Sequence, residues 1–395
     1  MNNQLQTRQR IQSIDVLRGI VMVIMALDHT RDFFHVNAIT GDPTDMATTT
    51  PFLFFTRWIT HFCAPIFVFL SGTSAFLNGQ KKTKAVLSSF LLKRGIWLIV
   101  IEIVIVSMGL SFNPLYNFIL FQVIWAIGIS MVLLALLIHL PFRVLAAIGL
   151  FIFFAHNLLD YPEAGRMGNI NIVWGIIHGR NAIIQLNATH IIFVAYSFLP
   201  WTGLMILGYC FGKLFTTQTA AGFRRKILLR TGFGLVILFA ALRLINMYGD
   251  PSPWSIQRNS VTSFLSFMNV NKYPPSLIYC FMTIGPALIL LALIENIQNR
   301  FTAFFSIYGR VPMFYYILHF YLIHILCVIC FFASGYGIKD AFNPQVPFGF
   351  RPPQFGYSLG IVYLVWIFVV LSLYPLCKKY NRYKSTHRQW WLSYL

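Results

Sequence analysis

The chain is short of charge, and above all of acid. Only 10% of its 395 residues are charged, and 11 Asp and Glu stand against 30 Lys and Arg, a formal net charge of +19. A soluble globular domain carries about a quarter charged residues, so an ordinary cytosolic enzyme is excluded. Cysteine is sparse as well. Cys63, Cys210, Cys280, Cys327, Cys330 and Cys377 all lie in or beside apolar runs, which excludes a disulfide-stapled module. The CxxC spacing of Cys327 and Cys330 falls inside one such run, where small-residue packing explains it. No Walker loop, Rossmann glycine fingerprint, HExxH pair or long-period repeat is present. The basic excess would point to nucleic acid in a soluble protein. Here it has another explanation.

What is abundant is apolar: 57% hydrophobic and 17% aromatic residues, with a mean hydropathy of +0.67. A membrane-spanning helix needs roughly 20 mostly apolar residues. About ten runs qualify, near 15–35, 52–77, 94–111, 116–138, 143–158, 191–213, 231–248, 275–296, 308–334 and 357–377. The expected fold is an all-α polytopic membrane protein, one domain over 1–395. Its tails are 1–14 and 378–395, and its outer loops 36–51, 159–190, 249–274 and 335–356. The polar stretch Met1–Ser13, with no small-residue cleavage site after it, predicts no cleavable signal peptide. With both termini cytoplasmic, 20 bases fall on inner segments and 6 on outer ones, among them Arg166 and Arg180. That bias is what the positive-inside rule predicts. The +19 is therefore a topology signal, with no nucleic-acid partner implied. The long outer loops hold Trp174, Trp254 and Tyr273, which suit either glycan recognition or an interfacial aromatic belt.

Ionisable groups at membrane depth are costly and mark function by default. The first run carries Asp15, Arg18, Asp28, His29, Arg31 and Asp32, and the second carries Arg57 and His61. Counted at about 1.5 Å per residue, His29 and His61 lie roughly 9 and 13 Å below the same outer boundary, so both can face one cavity. Asp28 or Asp32 would orient His29, and Arg57 shares a helix face with His61. Glu102 is a further buried acid, and His319 and His324 fall in the ninth run. A lone buried histidine is more often a structural hydrogen bond, but four with acids and arginines at matching depths point to a polar cavity.

The same residues carry a resemblance. Ile14-Asp15-Val16-Leu17-Arg18-Gly19 with Asp28-His29 resembles the first helix of the heparan-α-glucosaminide N-acetyltransferase-like membrane proteins, and that of the wider acyltransferase-three superfamily. His61-Phe62-Cys63-Ala64-Pro65, Leu199-Pro200-Trp201-Thr202-Gly203, Lys272-Tyr273-Pro274-Pro275 and Gly309-Arg310-Val311-Pro312 extend the likeness, as does the terminal Trp390-Trp391-Leu392-Ser393-Tyr394-Leu395. The resemblance implies transfer of an acyl group, usually acetyl, from cytoplasmic acyl-CoA to a sugar hydroxyl or amine on the other side. In that reading His29, His61, Asp28, Asp32 and Arg57 are catalytic, and Arg18, Lys93, Arg94 and Arg310 hold the CoA. Arg31, His35, His319, His324, Trp254, Lys272 and Tyr273 bind the acceptor. No metal is implied, and short basic inner loops fit a bacterial inner membrane. Two other readings of the buried charges are a proton-coupled transporter and, for the paired histidines, a haem or quinone protein.

Overall fold

The computed structural model describes residues 11–164, 172–179, 182–342, 346, 348–387 and 389–393. The tail up to Arg10, including Arg8, the loop bases Arg166, Arg180 and Arg388, and the last motif residues Tyr394 and Leu395 lie outside the described residues. The fold is mostly helical, and every expected apolar run contains a helix.

α1 (Gln12–Phe34) lies centrally, against α2 (Pro51–Thr60) and α3 (Cys63–Gly79) and against helices of the C-terminal half. Thr50 starts α2 by accepting the Leu53 amide on its hydroxyl, with Pro51 preset for the first turn. The second run then breaks at His61-Phe62. Pro65 has no N–H to offer the His61 carbonyl four residues earlier. The Tyr279 hydroxyl donates to that carbonyl instead, at 2.7 Å, so the break is satisfied rather than strained.

α4 (Lys84–Ile101) passes through one π turn, Glu102–Val106, into α5 (Ser107–Ser111). Glu102 projects from that turn and accepts the Trp125 amide at 2.9 Å, closing the N-terminus of α6 (Val123–Leu137). A carboxylate there complements the helix dipole. α7 (Phe142–Ala155), the short α8 (Asp160–Ala164) and α9 (Ile172–Ile177), and α10 (Phe198–Phe211) complete the first half. α11 (Ala221–Ile245) packs on α13 (Leu277–Ile294), and α12 (Ser260–Met268) sits within the loop between them. α14 (Arg300–Arg310), α15 (Pro312–Ala333) and α16 (Leu359–Thr386) close the bundle around α1.

Four further runs differ from the sequence expectation. The runs at 116–138 and 191–213 begin as strands, not helix. β1 (Phe118–Phe121), β2 (Ala182–Gln185) and β3 (Ile191–Val194) form a small sheet in the order β1-β3-β2, with β1 parallel and β2 antiparallel to β3. Their aromatic and β-branched residues favour a pleated surface, and a continuous apolar run hides the change. The ninth run splits at Val311, because Pro312 begins a new helix and cannot continue α14. Finally, α16 extends well into the expected tail, to Thr386.

Among the described residues seven helical segments are long and apolar enough to cross a membrane, counting Pro51–Gly79 as one. The protein is multi-pass. The other three runs fall short of that measure: α1 is charged, α4 is interrupted by its π turn, and α6 is short. Where α1 crosses α14 the backbones touch: a Cβ on Gly19 would lie 1.8 Å from the Phe305 carbonyl oxygen, and one on Gly309 the same distance from that of Asp15. Close small-residue crossings of this kind hold helices together in lipid, where no hydrophobic force does.

Candidate active site

Two cavities lie on either side of one layer of side chains. The first, called inner after the expected topology, has a volume of about 470 Å³ and is lined by five bases, Arg18, Lys82, Arg94, Arg310 and Lys384, and by no acid among the described residues. Arg18 is held firmly. Its guanidinium donates to the Gly309 carbonyl at 3.0 Å, the Ser74 hydroxyl at 2.9 Å and Asp15 at 3.3 Å. The α1–α14 crossing at Gly19 and Gly309 makes the first of these bonds possible. Asp15 also lies 3.6 Å from Arg310, so one buried carboxylate steadies two arginines from behind. A rigid, multiply bonded arginine rim is suited to phosphate oxygens. Lys93 does not line this cavity. The inward face of α4 is Leu87, Leu91, Gly95 and Leu98, which leaves Lys93 exposed on the other side.

The outer cavity is smaller, about 290 Å³, and aromatic. Phe33, Phe193, Phe320 and Phe348 line it with Tyr196 and Tyr273, and its polar groups include His29, Asp32 and Gln122. The two spaces adjoin closely along the chain: Gln122 faces the outer one and its neighbour Val123 the inner. Tyr316, in the inner wall, sets its ring edge-on 6.3 Å from His29 and 5.4 Å from Phe320.

His29 is the half-buried group at this junction. Its Nδ1 lies 2.7 Å from Nε2 of His319, and the two rings stack with centroids 5.0 Å apart. His319 is wholly buried, and its Nδ1 donates to the Tyr315 carbonyl at 3.0 Å. The hydrogen bond that orients His29 therefore comes from α15. Asp28 and Asp32 are engaged elsewhere. Arg57 donates to both oxygens of Asp28 at 2.7 and 2.6 Å, tying α2 to α1. Arg31 bridges Asp28 at 3.2 Å and Asp32 at 2.6 Å. These four form one network, nearly dry at Asp28, Arg31 and Arg57 and open at Asp32, which borders the outer cavity.

His61 is buried at the α2–α3 break, its ring edge-on to Tyr279 at 5.6 Å and its Nδ1 unpartnered among the described residues. It lies within electrostatic reach of Arg57, Lys272 and Asp28 but lines neither described cavity. The expected pairing of His29 with His61 thus gives way to His29 with His319. Lys272 is buried, with Nζ 5.2 Å from the Tyr273 ring and 5.9 Å from that of Tyr196. Burial pushes the Tyr273 phenol up, but Lys272 and Arg57 outweigh it and hold the group below its ordinary value.

Residues 10–245 match the model of the heparan-alpha-glucosaminide N-acetyltransferase catalytic family. The chain belongs to that family. No curated protein matches the chain. As a multi-pass member of this acetyltransferase family it carries Arg18, His29 and His61 inside the matched region, while Lys272, Tyr273, Arg310 and His319 lie beyond it.

The remaining sequence candidates are built into the scaffold. Both ring nitrogens of His324 meet backbone carbonyls, Gly109 at 2.7 Å and Gly349 at 2.9 Å, which leaves none for a ligand. His35 caps α1, accepts the Asn37 amide on Nδ1, and gives its carbonyl to Arg351. Trp254 packs on Phe267, with its backbone held by Asn246, outside both cavities. Conversely, sequence reasoning passed over Lys82, Lys384, Gln122 and Tyr196. The two lysines had been read as topology charges, and Gln122 with Tyr196 sits at strand ends hidden within apolar runs.

Proposed function

We propose that this acetyltransferase-family protein is a single membrane-embedded domain of about ten crossings with both termini cytoplasmic. In this reading it moves an acetyl group from acyl-CoA in the inner cavity to a hydroxyl or amine of a sugar or envelope glycan in the outer one. The observation that carries the reading is the opposite character of two cavities separated by the His29–Tyr316 layer. Five bases suit the phosphates of CoA, and aromatic walls suit the faces of a sugar ring. Arg18 and His29 are 11 residues apart on α1, about 16 Å, which lets a pantetheine arm carry its thioester from the rim to the layer.

In the reaction, His29 takes the proton of the acceptor O–H or N–H as the heteroatom attacks the thioester carbonyl. The C–S bond breaks, CoA leaves as thiolate, and the imidazolium returns the proton to sulfur. An acyl-imidazole intermediate would use the same nitrogen as nucleophile, and a pre-steady-state burst of free CoA separates the two routes. Asp28, Arg57, Arg31 and Asp32 form the charged wall behind His29, with His61 and Lys272 nearby. Tyr273 lines the outer cavity from the α12–α13 loop, and Lys272 lies behind it and Tyr196, as acceptor-side groups. A bacterial inner membrane, with CoA on the cytoplasmic side, suits this arrangement.

Turnover of acetyl-CoA by His29→Ala protein tests the proposal. Loss of about 10³-fold or more is expected. Near wild-type transfer would overturn it, as would transport of a solute by protein that CoA fails to stabilise against heat.

A further inference from the structure

The His29–His319 contact has a direction that the hydrogen bonds determine. Nδ1 of His319 faces the Tyr315 carbonyl at 3.0 Å, and a carbonyl oxygen only accepts. The proton of a neutral His319 is therefore on Nδ1, and its Nε2 carries a lone pair. That lone pair lies 2.7 Å from Nδ1 of His29, which must donate to it. The proton of His29 is then on Nδ1, and its Nε2 carries the only lone pair of the chain of bonds left unused. His319 has no exposure with which to relax this arrangement, whereas His29 borders the outer cavity. The bond to Tyr315 spans one turn of α15, so helix geometry itself sets the ring.

We infer that His319 is a positioning residue: through the relay Tyr315 carbonyl–His319–His29 it holds His29 in the Nδ1–H form and presents Nε2 as the base. This rests on the reading of His29 as the proton acceptor. The relay occupies the place that a carboxylate holds behind histidine in a hydrolase triad, but uses a neutral ring where a third buried carboxylate beside Asp28 and Asp32 would be costly. When Nε2 takes the acceptor's proton, Nδ1–H stays bonded to His319, and the proton leaves again from Nε2 to the CoA thiolate. The wrong tautomer puts a proton where the base must be. Aligned with the family match, His29 lies inside residues 10–245 and its positioning partner outside, so the catalytic pair is split across that boundary.

The test compares His319→Leu, His319→Gln and His29→Ala, each purified and checked for thermal stabilisation by CoA. Leucine removes the acceptor, and glutamine restores one through its side-chain oxygen. His319→Leu is expected to lose about 10²–10⁴-fold in kcat with both KM values within twofold, and His319→Gln to recover at least tenfold of it. Nearly full kcat in His319→Leu while His29→Ala is inactive would overturn the positioning role and leave the function standing. Equal losses in the leucine and glutamine variants would also overturn it. Turnover in His29→Ala would instead sink the base assignment beneath it. If His319→Leu fails to fold, ¹⁵N-histidine spectra of the wild-type protein decide alone: His29 is expected as the Nδ1–H tautomer, and an Nε2–H signal would refute the inference.

Discussion

The inner and outer cavities are built by opposite means. The inner one is large, basic and fixed by hydrogen bonds among backbone, Ser74 and Asp15, so that its arginines stand ready before a ligand arrives. The outer one is about 290 Å³, and most of its wall is aromatic ring with few polar groups. The difference teaches where binding and chemistry are divided. Charge is gathered at one end and aromatic surface at the other, and in the proposed function the histidine that handles the proton stands in the layer between them.

Substitutions and salt should act on the two cavities separately. The largest effect is expected at the charged network behind His29, which reaches the outer cavity through Asp32. Asp28→Asn leaves Arg57 and Arg31 without their shared carboxylate at a nearly dry site, which should cost about 3–5 kcal/mol and show as a marked fall in thermal stability. Next comes Arg18→Gln. Removing a pinned guanidinium from the inner rim should raise KM for acyl-CoA about tenfold or more and leave acceptor KM alone. Ionic strength follows: raising salt from about 0.05 to 0.5 M should weaken donor binding several-fold through screening, with acceptor binding little changed. The smallest effect is expected at Phe193→Ala. A lost ring contact of about 0.5–1.5 kcal/mol raises acceptor KM a few-fold while donor KM holds. If Arg18→Gln altered acceptor KM, or Phe193→Ala donor KM, the division between the cavities would be wrong.

Much of this was legible in the residues. Ten apolar runs each contain a helix, and Arg18 and His29 are related by simple counting because one helix, α1, carries both. The second run was expected as one span, 52–77, and its break appears only in the structure, where Pro65 withholds a donor from His61 and Tyr279 supplies one instead. What could not be read depends on distant chain. His319 was visible as a buried histidine, but its role as partner to His29 needs α15 packed against α1, 290 residues away. His324 has the same setting in sequence and an unrelated structural use, because only the fold brings Gly109 and Gly349 to its ring. Lys93 and Arg94 illustrate a finer limit. One residue turns a helix by about 100°, and on α4 that step puts Arg94 in the cavity wall and leaves Lys93 exposed, as the buried leucines of α4 show. The strands at 118–121 and 191–194 were hidden inside longer apolar runs that continue as helix.

The most direct measurement of the central claim uses sealed vesicles containing protein of one orientation. Labelled acetyl-CoA is supplied only on the side of Arg18 and Arg94, and an amino-sugar acceptor only on the side of the outer cavity. The account requires acetylated acceptor to accumulate on the side opposite the CoA, with transfer lost in His29→Ala. Acetylation only when both substrates share one side would contradict it.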